Sequence, residues 1–88
     1  MIRFHLKELI AKREFESRQR ITLEKIARET GIHRTTLSKI AGARRYNTTT
    51  DNIEALCRFL DCGVGELMEI VVEESHPLPA DAEREDGP

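Results

Sequence analysis

The chain has 88 residues, 39% of them hydrophobic and 34% charged, with a formal net charge of −2. That length accommodates one small domain with a thin core, since a chain this short buries only about 60% of its unfolded surface. No apolar run approaches the roughly 18 residues of a membrane span, and the charged start MIRFHLKELIAK lacks a small-residue cleavage site, so a protein of the cytoplasm is expected.

Ile2, Phe4 and Leu6 alternate with Arg3, His5 and Lys7, which predicts an extended piece at Ile2–His5. A dimerising strand, a strand pairing with Glu69–Glu73 and an irregular lead-in all fit that alternation. From Leu6 the period lengthens: Leu6, Leu9 and Ile10 predict a helix to about Phe15, with Glu16–Arg20 as a connection. Thr22 is a suitable N-cap for a second helix carrying Leu23, Ile26, Ala27 and Thr30 inward, and Gly31 is a suitable terminator. A third helix is expected from Arg34 to about Ala41, stopped by Gly42 and followed by a polar loop. Thr49 or Thr50 then caps a fourth helix, whose Ile53, Leu56, Cys57 and Leu60 share one face. Asp61-Cys62-Gly63 breaks that helix, and a short fifth one is expected from Val64 to about Ile70. The segment SHPLPADAEREDGP has three prolines and no periodicity, which reads as a flexible acidic tail over 75–88.

The charges are segregated. Between Lys12 and Arg45 there are ten bases and four acids, a net +6, whereas from Glu73 onward six acids face the single base Arg84. A basic segment inside an acidic chain points to an anionic partner more directly than the overall charge does. The third helix carries Leu37, Ile40 and Ala41 on one arc and Arg34, Thr35, Ser38 and Lys39 on the other, with Thr36 at the flank. No carboxylate stands on that outward arc, although acids are favoured near helix N-termini.

Two short helices joined by a tight turn must approach closely, as in a helix-turn-helix. Ala27 keeps the crossing point small, Gly31 accepts positive φ, and Ile32, Leu37 and Ile40 plug the second helix into the core. Leu23-Glu24-Lys25-Ile26-Ala27, Gly31-Ile32, Thr35-Thr36-Leu37-Ser38-Lys39-Ile40, Leu56-Cys57-Arg58-Phe59-Leu60 and Val64-Gly65-Glu66-Leu67-Met68 together resemble the Cro and lambda-repressor (Xre-like) regulators. The resemblance spans roughly Leu6 to Val72. Leu23 departs from it where members often carry glutamine, and Thr30 where an apolar residue is common. It implies an all-α, five-helix lambda-repressor-like domain over 1–74, with its motif at about 22–42 and a short N-terminal extended segment.

It further implies sequence-specific binding of double-stranded DNA by a transcriptional regulator of repressor type, with helix 34–41 in the major groove. Carried over by position, Arg34, Thr35 and Ser38 are the candidates for base edges. Thr22, Thr36 and Lys39, with Arg44, Arg45 and Tyr46 in the following loop, are the candidates for the DNA backbone. A lone domain of this size makes few base contacts, so a homodimer on a near-palindromic operator is expected, with Phe59, Met68, Val71 and the Ile2 segment as apolar contacts. The competing reading is a protein-interaction module, such as an antitoxin or a phage-encoded adaptor on the same scaffold.

No catalytic constellation is visible, and neither a cofactor nor a small-molecule ligand is expected. Cys57 and Cys62 have neither CxxC nor zinc-knuckle spacing, so they read as reduced residues in or near the core, without a metal. His33 reads as a turn or capping residue at the start of the third helix.

Overall fold

Helices form where the sequence supplies both an apolar stripe and a terminator. A computed structural model describes residues 1–42 and 46–72, so Arg44, Arg45 and the acidic tail 75–88 lie outside the described residues. The elements run in the order β1 (Ile2–Phe4), α1 (Leu6–Ser17), α2 (Leu23–Thr30), α3 (Arg34–Ala41), α4 (Thr50–Leu60), α5 (Val64–Leu67) and β2 (Met68–Ile70). Five helices thus occur in the expected order, and the first and the last differ from expectation in their ends.

Side-chain and backbone caps set most of the helix ends. Thr22 Oγ1 accepts the Lys25 amide at 3.1 Å, and Thr49 Oγ1 accepts that of Asn52 at 3.1 Å. These hydroxyls satisfy donors that the first turn leaves without partners. At the other ends Arg18, Gly31 and Asp61 take left-handed φ values of 57°, 81° and 52°. α1 continues to Ser17, past the expected Phe15, because the Arg18 amide still bonds the Glu14 carbonyl at 2.8 Å. Phe15 itself is 85% exposed, so the apolar stripe ends before the backbone ladder does. The connection is tied back by Glu14, whose carboxylate accepts the Ile21 amide at 2.8 Å.

The fifth helix is shorter than its sequence pattern predicts. It stops at Leu67, and Met68–Ile70 leave it as a strand antiparallel to β1, in the register Ile2↔Ile70, Arg3↔Glu69, Phe4↔Met68. The run Ile70-Val71-Val72 is β-branched throughout and prefers an extended backbone. The ladder extends beyond both strands: Met1 and Val71 exchange hydrogen bonds at 2.9 and 2.8 Å, and the His5 amide bonds the Leu67 carbonyl at 2.7 Å. Of the three readings of the Ile2 segment, the pairing with the chain's own C-terminal side is the one realised.

Alternation gives this ribbon two unlike faces. Ile2, Phe4, Met68 and Ile70 share one, and Arg3 and Glu69 share the other. At its inner end the apolar face packs on the core through Phe4 and Met68. That core is Leu6, Ile21, Ile26, Ile32, Leu37, Ile40, Ile53, Leu56, Leu60 and Leu67, all aliphatic. α2 packs against α3 and α4, while α1 lies across α3, α4 and α5. Among the described residues no helix is long and apolar enough to cross a membrane.

Candidate nucleic-acid interface

The orientation of α3 is fixed from below. Leu37 and Ile40 are fully buried and Ile32, just before the helix, is 6% exposed, so three apolar side chains anchor eight residues. The turn leading in is equally constrained. Gly31 closes α2 with its amide on the Ala27 carbonyl at 2.9 Å, and its φ of 81° is one that side-chain-bearing residues seldom adopt. The distance from α2 to α3 is spanned by three residues, Gly31, Ile32 and His33. A seat this short and buried leaves the outer face little freedom to turn.

That outer face consists of Arg34, Thr35, Ser38 and Lys39, all exposed, with Thr36 half-buried at its edge. The first turn of α3 contains no acid. Among the described residues the ion pairs are Arg3–Glu8, His5–Glu8, His5–Glu69 and Arg58–Glu54, all outside the segment from Lys12 to Lys39. No carboxylate among them neutralises Arg34 or Lys39, so among the described residues the positive potential of this face is unopposed. The start of the helix also has no hydrogen bond from the side chain at its own N-cap. His33 occupies the N-cap position, but it makes no capping hydrogen bond and is exposed. The first-turn amides therefore meet no side-chain acceptor from that position, and such amides attract anions.

A family model for the Cro/C1-type HTH DNA-binding domain matches residues 5–73. The chain belongs to that family. No curated protein and no solved structure matches it. The matched span begins after β1, so the strand that completes the ribbon lies outside the part defining this Cro/C1-type domain.

Within the domain the predicted residues separate into groups. Arg34, Thr35, Ser38 and Lys39 share one exposed face of α3, with Thr36 beside them. Thr22 stands at the start of α2, where its hydroxyl oxygen accepts the Lys25 amide and its O–H proton remains available to a further acceptor. Tyr46 is half-buried and packs against the core, with the Lys39 ammonium 5.6 Å from its ring centroid. That contact joins the last turn of α3 to the chain returning toward α4, and it is a cation–π geometry. Arg44 and Arg45 fall outside the described residues. Sequence reasoning missed two features of this surface, the uncapped start of α3 and the Lys39–Tyr46 contact. The absence of Ser, Thr, Asp or Asn at position 33 signals the first; nothing local signals the second, because it depends on how the chain returns.

Proposed function

We propose that this Cro/C1-type domain is a sequence-specific transcriptional regulator of repressor type, whose α3 enters the major groove of duplex DNA N-terminus first. The observation that carries the reading is the acid-free outer face of α3, met by no carboxylate among the described residues, on a buried aliphatic seat. Arg34 is suited to fork onto guanine O6 and N7, and the Thr35 methyl to meet a thymine methyl, with Ser38 a shorter-reaching partner one turn on. Thr22, Thr36 and Lys39 serve phosphates from the two ends of the motif, and so do Arg44, Arg45 and Tyr46 after α3. Tyr46 acts in part through Lys39, which its ring holds.

Three side chains at base edges give one domain limited discrimination, so a homodimer on a near-palindromic operator is part of the proposal. Ile2 and Ile70 are paired in register, and they and Val72 are 38%, 71% and 78% exposed, a solvent-facing apolar surface of the ribbon that a second copy would cover. Half-sites are then expected about one helical turn apart. Selection of bound DNA from a random duplex pool tests the whole reading. The expected result is an enriched inverted repeat; a pool that stays random after successive rounds overturns it.

A further inference from the structure

A groove of about 840 Å³ runs between α4, the start of α5 and the apolar face of the ribbon. Three sulfur-bearing side chains line it: Cys57, Cys62 and Met68. The local backbone explains why the two cysteines meet there. Asp61 turns left-handed after α4, and the Cys62 amide then bonds the Cys57 carbonyl at 3.0 Å. This closure folds the residue after the left-handed one back over the last turn of the helix, onto the position where an apolar contact usually accompanies it. Here both members of that contact are cysteine. Met68 comes from the other side, as the first residue of β2 opposite Phe4.

Both thiols are free and half-buried. Burial, reinforced by the neighbouring Cys57 and by the charges of Glu66 and Asp61, pushes the Cys62 thiol up to about 11, so it is protonated at neutral pH. Among the described residues no group of three or more His, Cys, Asp or Glu is placed to hold a metal ion, so a four-coordinate zinc set is not assembled. The soft donors that line this groove, two thiols and a thioether, suit soft ions of low coordination number.

We propose that Cys57 and Cys62, assisted by Met68, form a binding site for a soft monovalent d10 ion of the Cu(I) class. Each bound ion forms two metal–thiolate bonds and releases two thiol protons to solvent; the ion enters and remains as Cu(I), so no electron is transferred. The bond to the Met68 sulfur requires no proton release. The site shares its groove with Tyr46, whose ring centroid lies 5.6 Å from the Lys39 ammonium of α3.

The test titrates the reduced 88-residue chain with Cu(I) under anaerobic conditions, against a chromogenic Cu(I) chelator. The wild type is expected to withdraw one Cu(I) per chain; Cys57→Ser and Cys62→Ser each lose that uptake, while Met68→Leu keeps the stoichiometry with weaker retention. No uptake by the wild type, or undiminished uptake by either serine variant, overturns the proposal. Should a serine variant fail to fold by circular dichroism, Ag(I) added to labelled wild-type protein decides. Joint shifts of the Cys57 and Cys62 Cβ resonances support the site, and unmoved resonances overturn it.

Discussion

Thr30 and Ile32 are joined across the glycine between them. The Thr30 hydroxyl accepts the Ile32 amide at 3.2 Å and donates its proton to the Ile26 carbonyl at 2.7 Å. One side chain thus satisfies a carbonyl of α2 and an amide of the turn, and draws Ile32 into the core. A polar residue at this inward position is explained by those two bonds. Thr30→Val keeps the shape but strands the Ile32 amide, and is expected to cost about 1–3 kcal/mol in urea unfolding. Thr30→Ser retains the hydroxyl and should lose less. Wild-type stability in the valine variant would show that the hydroxyl is not what holds the turn.

Gly31 faces open space where a Cβ would stand, yet its φ is 81°. The penalty for a side chain there is conformational rather than steric. Gly31→Ala is expected to lower stability by about 1–2 kcal/mol, and Gly31→Asn by less, since asparagine tolerates the left-handed region. Equal losses in the two variants, measured by thermal unfolding, would point to crowding and contradict the open space.

Removing the Arg34 guanidinium should affect recognition without affecting the fold, because the side chain is exposed. Arg34→Ala is expected to cost about 1–3 kcal/mol of binding to the selected operator and to relax preference at one base position. A binding profile across all single-base variants of the operator checks it. A uniform loss over every position would reassign Arg34 to the backbone.

Arg45 is expected to behave in the opposite manner. Arg45→Ala should weaken binding to all sequences similarly and flatten the plot of log affinity against log salt by about one unit. An unchanged slope removes this residue from the phosphate contacts.

His5 joins β1 to both α1 and β2. Its Nδ1 lies 3.3 Å from Glu8 and its Nε2 2.6 Å from Glu69, with Arg3 also 3.6 Å from Glu8. Hydrogen bonding to Glu8 and then to Glu69 raises its pKa above the ordinary 6.5. A folded-state value above the unfolded one means that the contribution is full below about 6.5 and is lost as pH rises through the raised value. Wild-type unfolding midpoints should therefore fall relative to those of His5→Gln on going from about pH 6 to pH 8.5. Parallel profiles for the two proteins would show that the imidazolium adds nothing to the clasp.

Much of the architecture is local and was readable from the residues alone. Thr22 and Thr49 cap the helices that follow them, Gly31 ends α2 in the left-handed region, and the 3.6-residue stripes of α2, α3 and α4 are the buried ones. The division of α3 into an aliphatic face and an acid-free face follows from spacing, because a helix repeats its geometry whatever surrounds it. What sequence could not decide is where a segment meets a partner far along the chain. Val64–Ile70 carries a helical pattern, yet its last three residues pair with Ile2–Phe4, since backbone bonds to a distant strand outweigh a weak local period. The Lys39–Tyr46 contact and the Glu8–His5–Glu69 clasp are decided the same way, by how the chain returns. The shared groove of Cys57, Cys62 and Met68 combines both causes: a local helix terminus brings the cysteines together, and the tertiary pairing of β2 with β1 supplies the third sulfur.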